Sequence, residues 1–114
     1  LAPVIDNGLE VRMTSDESGT YPPHVPTGPP AEAQEVVLRQ HANGTRQMAR
    51  YQVGGETVWV RHWDESGYLA MEYGMRDDKR HGPFRTYFPN GQRVEESFYI
   101  EGKEHGTARQ WDYD

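Results

Sequence analysis

The sequence predicts an all-β protein: an elongated single antiparallel sheet of stacked β-hairpin repeats, about three copies of 23–24 residues, preceded by an irregular Pro-rich N-terminal arm. Three observations carry this expectation. Glycines at 44, 67 and 91 recur at separations of 23 and 24 and open segments of similar composition, the mark of a repeat architecture. Only 34% of the 114 residues are hydrophobic and the mean hydropathy is −0.97. That fraction lies below the roughly 45–50% of ordinary globular domains and implies a thin structure with no thick two-layer core. Finally, the aromatic residues (Tyr 7, Trp 3, Phe 3) supply large apolar surfaces that disordered chains lack, and all but Tyr21 lie after residue 36.

Charge and proline divide the chain at the same place. Residues 1–36 hold Asp6, Glu10, Asp16, Glu17, Glu32 and Glu35 against Arg12 alone, so five of the six net negative charges sit there, with six of the eight prolines. Tyr21–Pro30, YPPHVPTGPP, cannot propagate a helix or donate a continuous strand ladder, because proline removes donors and biases the preceding residue toward extended geometry. Before it, Gly8–Met13 alternates apolar and polar residues and is expected to form one short strand. The segment reads either as a flexible acidic leader or as an arm that lies along a sheet edge or a partner.

Residues 37–114 form the repeat region, with copies starting at Asn43, Ser66 and Asn90. A second landmark recurs inside them: His81-Gly82 and His105-Gly106 stand 24 apart, each Gly followed five residues later by an aromatic, Tyr87 and Trp111. Val58 and Trp63 keep that spacing in the first copy without the His-Gly pair. Each copy reads as a hairpin. The middle one is expected to run Tyr68–Met75, a polar turn from Asp77 to Arg80, then Phe84–Phe88; the last runs Arg93–Ile100, a turn over Glu101–Gly106, then Thr107–Tyr113. Asn43-Gly44 and Asn90-Gly91 read as two-residue hairpin turns, since both residue types tolerate positive φ. Leu69, Met71, Tyr73 and Met75 alternate onto one face, as do Val94, Phe98 and Ile100.

The landmarks in the last copy (Tyr99, Gly102, Lys103, His105, Gly106, Trp111) and the middle one (Lys79, His81, Gly82, Tyr87, Gly91) resemble MORN repeats, particularly the bacterial variant labelled an antitoxin component. Asp78 replaces the first glycine in the middle copy, and the first copy keeps only Gly54 or Gly55, Trp63 and Gly67. The resemblance implies a sheet of stacked hairpins that serves as a scaffold or binding surface. Gly44, Gly67, Gly82, Gly91, Gly102 and Gly106, with His81 and His105, are the repeat-defining positions.

Chemistry is constrained mainly by exclusion. Cys 0 removes disulfides, thiolate metal sites and cysteine nucleophiles. The nucleophile elbow, zinc-protease, P-loop and dinucleotide motifs are all missing. His81 and His105 in adjacent hairpins would lie two strands apart, about 9–10 Å, too far to share an ion. His24 and His41 carry no pattern; the His-Gly pairs read as turn-shaping residues whose rings pack beside an aromatic. His62 with Asp64 and Glu65 reads as solvated polarity at a strand end, and Asp77-Asp78 and Glu95-Glu96 as solvated turn or edge charge, since strand neighbours point to opposite faces. Asn43-Gly44-Thr45 fits both a glycosylation sequon and a turn. No catalytic residue, metal ligand or cofactor is assigned.

The expected function is therefore a non-enzymatic protein–protein interaction module, a small accessory or scaffold subunit contacting a larger assembly. Its expected contact residues are Trp63, Tyr87 and Trp111 on the sheet, rings whose other reading is a stacked ladder that supplies the thin core, and Tyr21, Pro22 and Pro23 on the arm. An antitoxin or immunity-type protein that blocks a toxin is the alternative, ahead of a small His/acid metal-dependent enzyme or a lipid-binding module. Net charge −6 argues against nucleic acid and against direct contact with anionic lipid. No apolar run approaches the roughly 20 residues of a membrane-spanning helix. The sequence reads as soluble and fixes no compartment; a start at Leu1 is compatible with a removed export signal.

Overall fold

A computed structural model describes residues 26–112, leaving aside the side chain of Thr107. Seven strands, β1 (Gln34–Gln40), β2 (Arg46–Val53), β3 (Glu56–Trp63), β4 (Leu69–Arg76), β5 (Lys79–Tyr87), β6 (Arg93–Ile100) and β7 (Lys103–Gln110), form one antiparallel sheet. Spatial order follows chain order, so the sheet is open, with β1 and β7 at its edges. The three expected hairpins are β2–β3, β4–β5 and β6–β7. Strand β1 is additional; it begins at Gln34 and joins β2 through the same kind of loop that joins β3 to β4. The Gly8–Met13 strand lies outside the described residues.

Two kinds of turn alternate along the sheet. At one end Gly54-Gly55, Asp77-Asp78 and Glu101-Gly102 close two-residue hairpins with φ positive at both positions, between 49° and 89°. This is the type I′ geometry whose twist matches that of the strands. At the other end the three turns share one bonding pattern: His41 N–H donates to the Thr45 carbonyl and Gly44 N–H to the His41 carbonyl, repeated at Asp64/Tyr68/Gly67 and Phe88/Gln92/Gly91. Each is a three-residue loop with glycine alone at positive φ. The Asn-Gly pairs are therefore not two-residue turns. Asn43 and Asn90 use their side-chain oxygens to accept the N–H two residues on, from Thr45 at 3.0 Å and Gln92 at 2.9 Å. That local bond favours the longer loop.

The His-Gly landmarks sit inside strands, not at turns. Tyr73 pairs with Phe84 and Met75 with Arg80, so His81, Gly82 and Pro83 together face the single residue Gly74. The same excess recurs where Gly106, Thr107 and Ala108 face Ser97. Gly82 and Gly106 take φ of 107° and 75° to allow these bulges. The polar segments expected to be turns, Asp77–Arg80 and Glu101–Gly106, shorten to two residues because Lys79 and Lys103 already begin the next strands.

Packing is uneven between the faces. Register and alternation put Ala49, Tyr51, Trp59 and Phe98 on one face, all buried. The arm crosses this face: Ala33, held in a turn by its N–H bond to the Pro30 carbonyl, packs against Ala49, Tyr51 and Trp59. The facing sets from the sequence therefore separate, with Phe98 on the arm-side face and Met71 and Tyr73 on the opposite, open face. The buried charged and polar residues are Glu72, His81, Arg85, Glu96, Ser97 and Arg109, one more than the five buried hydrophobics. Much of the interior is ionic.

Candidate interaction site

A line of alternating charge crosses the arm-side face. Arg61 on β3 pairs in register with Glu72 on β4, Glu72 with Arg85 on β5, Arg85 with Glu96 on β6, and Glu96 with Arg109 on β7. The Glu72 carboxylate accepts hydrogen bonds from Arg61 Nε at 2.9 Å, Trp59 Nε1 at 3.0 Å and the Tyr87 hydroxyl at 2.5 Å, with Arg85 Nη1 at 3.6 Å. Glu96 accepts from Arg85 Nε at 2.8 Å and Arg93 Nη1 at 3.0 Å. Burying a carboxylate costs several kcal/mol unless its lone pairs are satisfied, and these two have multiple donors each. Arg85 also donates through Nη1 to the Thr27 carbonyl at 3.1 Å, fastening the arm to the centre of the line.

The period of the sequence builds this array. Arg61, Arg85 and Arg109 recur every 24 residues, as do Glu72 and Glu96. With one hairpin per period and stepwise strand order, equal spacing puts them on one transverse row. Sequence reading misses it, although a signal exists: Arg-x-aromatic occurs three times, at Arg61-His62-Trp63, Arg85-Thr86-Tyr87 and Arg109-Gln110-Trp111. Glu96, expected to be solvated, is instead only 1% exposed, because β7 covers it on one side and β5 on the other.

The electrostatics follow from this wiring. Burial acts to raise the Glu72 pKa, but the hydrogen bonds from Tyr87, Arg61 and Trp59 overcome it and hold the carboxyl below its ordinary value. Burial and the bond to Glu72 both raise the Tyr87 phenol. Arg61 loses hydration, which opposes its charge, yet the bond to Glu72 raises its pKa overall. At the arm end, burial and then the bond to Glu35 raise Tyr51, whose hydroxyl donates to Glu35 Oε2 at 2.6 Å. Near neutral pH Glu72 therefore stays charged and keeps its donors.

The residues singled out from sequence fall at several places. Trp63, Tyr87 and Trp111 each stand two residues beyond a row arginine, at one end of the sheet. They are anchored separately: Trp63 under the Arg46 guanidinium at 4.1 Å, Tyr87 on Glu72, and Trp111 beside Arg109 at 5.6 Å. Trp63, Gly44 and Gly67 line an open hollow of 370 Å³ with Thr45 and Arg46. Tyr21, Pro22, Pro23 and His24 lie outside the described residues. His81 is buried and accepts the Glu101 N–H through Nδ1 at 3.1 Å, tying the β5 bulge to the next two-residue turn. His105 is opposite Phe98 on β7. His62 approaches the Tyr73 hydroxyl at 3.5 Å on the open face, whereas Asp64 is turned to Ser66 in a loop, so the two are not brought together. His41 reaches the Trp63 carbonyl at 2.9 Å. Among the described residues no three His, Asp or Glu side chains are grouped as metal ligands. No family model, curated protein or solved structure matches the chain.

Proposed function

We propose that this protein is a non-enzymatic protein–protein interaction module, an accessory or scaffold subunit that binds a larger partner through its repeat sheet with the N-terminal arm extending the contact. The observation that carries the reading is the Arg85–Thr27 bond: an irregular, proline-rich stretch is held on the arm-side face by a guanidinium that Glu96 and Glu72 orient. A fixed guanidinium fork reading a backbone carbonyl is a recognition device for extended peptide. Among the described residues the two edge strands, β1 and β7, each have one unpaired side, which offers further backbone for strand addition. The MORN-like landmarks support the same reading, because stacked hairpins of that kind present surfaces.

The test is affinity purification of the full chain from its native source, beside a chain lacking residues 1–25. A protein partner retained in stoichiometric amount, with affinity weakened about tenfold by the truncation, is expected. Retention of no protein by the full chain would sink the reading, and equal retention by both chains would remove the arm from it. A toxin among the retained proteins would select the immunity-type form of the same module.

A further inference from the structure

The open face is built differently from the arm-side face, and its composition points to a second kind of contact. Four rings run across it from β3 to β6. His62 lies 5.9 Å from Tyr73, Tyr73 5.8 Å from Phe84, and Phe84 6.2 Å from Tyr99. The Arg80 guanidinium stands over three of them, at 5.0 Å from Tyr73, 4.7 Å from Phe84 and 5.5 Å from Tyr99. Register adds Val60, Met48 and Met71 to the same face, beside Tyr73 and His62. Every ring here is half-buried, and among the described residues the strands contact their sheet neighbours with no second layer over them.

Charge on the β1–β5 part of this face is one-sided. Arg39 and Arg80 both act on His62, helping burial to lower its pKa, and Arg50 pairs with Val60 in the same set of rows. Among the described residues no carboxylate lies within ion-pair distance of Arg39, Arg50 or Arg80, whereas Arg61, Arg85 and Arg93 on the arm-side face are all paired. Arg50 Nε is buried and makes no hydrogen bond. The carboxylates that register assigns to the open face, Glu95 and Glu104, belong to β6 and β7, toward the far edge.

We propose that the open face is a docking surface for an extended acidic peptide segment of a partner protein, whose apolar side chains lie on the methionine and aromatic stripe and whose carboxylates meet Arg80, Arg50 and Arg39. This rests on the interaction-module reading and names a surface and a partner chemistry for it. Arg80 is the anchor. Three rings hold its guanidinium flat, so little freedom is lost when its N–H donors engage a carboxylate. The methionines adapt the stripe to side chains of different shape. A polynucleotide would also meet arginine and aromatic rings, but the Arg80 guanidinium already covers the ring faces on which bases would stack.

The test uses the full chain and synthetic probes. Fluorescence anisotropy compares a labelled octapeptide that repeats Leu-Leu-Glu-Glu, and so presents both residue types on one face when extended, with its Leu-Lys and Gly-Glu counterparts and with a twelve-nucleotide oligo-dT, at low and physiological salt. The Leu-Glu peptide is expected to bind at least about tenfold more tightly than each of the other three, and to weaken as salt rises. R80Q, which keeps the stem over the rings, and R39Q each weaken it about three- to tenfold while far-ultraviolet circular dichroism and melting temperature stay unchanged. Equal binding of the Leu-Glu and Leu-Lys peptides, or affinity untouched in both R80Q and R39Q, overturns the proposal. Tighter binding of oligo-dT than of the Leu-Glu peptide overturns it in favour of nucleic acid. Failure of these probes alongside a stoichiometric partner in the native purification removes the open face only and leaves the interaction-module reading standing.

Discussion

Glu72 is the point at which the ionic row is most exposed to perturbation. Its carboxylate holds three donors, from Trp59, Arg61 and Tyr87, with Arg85 nearby, while its side chain is only 7% accessible. In E72Q a single carbonyl oxygen satisfies at most two donors, and the new amide N–H₂ confronts a guanidinium or a phenol. Breaking a buried pair from one side costs about 3–5 kcal/mol when the remaining charge is stranded. Here the stranding is partial. The Arg61 side chain is 30% accessible and regains water, and Arg85 keeps Glu96 and the Thr27 carbonyl. The expected loss is therefore about 2–3 kcal/mol. In urea unfolding followed by tryptophan fluorescence, this lowers the midpoint by about 0.7–3 M, given a slope of roughly 1–3 kcal/mol/M. E65Q, at an exposed loop position, serves as the control and is expected to stay within about 0.5 kcal/mol of wild type. A midpoint for E72Q as close to wild type as that of E65Q would refute the claim that a buried ionic row, more than apolar packing, holds β3, β4 and β5 together.

Further outcomes follow from single positions. G74A is expected to cost about 2–3 kcal/mol, because its Cβ would sit 2.3 Å from the His81 carbonyl oxygen in the β5 bulge. G44A, with open space but φ of +87°, should cost about 1–2 kcal/mol; a smaller loss for G74A than for G44A in urea unfolding would disprove the bulge argument. Glu101 holds φ of 49° ahead of Gly102, so E101N, which creates an Asn-Gly type I′ turn and keeps the backbone bond to His81, should stabilise the fold by about 0.5–1 kcal/mol, seen as a raised urea midpoint. Stability should fall on acidification in two stages. His62 has its pKa lowered by burial and by Arg39 and Arg80, so the unfolded chain takes up its proton first as pH falls below about 6.5. Glu72, also depressed, contributes stability above its unfolded pKa of about 4.3 that disappears as pH drops through the lower folded value. Urea midpoints between pH 7 and 3 would show both limbs, with the upper one flattened in H62F and the lower one in E72Q; a lower limb unchanged in E72Q would assign it elsewhere.

The hairpins were legible because their signals are local. Glycines at 23- and 24-residue separations and short polar links specify where a strand must reverse, and a meander of consecutive hairpins has little topological freedom. Turn type was less legible. Asn-Gly satisfies two loop lengths, and the side-chain bonds of Asn43 and Asn90 select the longer one. The type I′ turns instead include Asp77-Asp78, which lacks glycine altogether.

The sequence by itself determined the class of fold, the number of complete hairpins and the division between an acidic proline-rich arm and a nearly charge-balanced repeat region. Tertiary structure decided which residues share a face. A bulge shifts the phase of alternation, so the facing of Arg85 relative to Arg80, or of Arg93 relative to Glu96, follows from register across the sheet and from no window of the chain. Burial was decided at the same level. Adjacent glutamates look solvated in one dimension, and only the approach of Arg85 and Arg93 to Glu96, and of three donors and the Arg85 charge to Glu72, makes charge a stable interior for so thin a sheet. The weak hydrophobicity of the chain has its physical reason there: opposite charges spaced at the repeat period fill positions where a thicker protein would place apolar side chains.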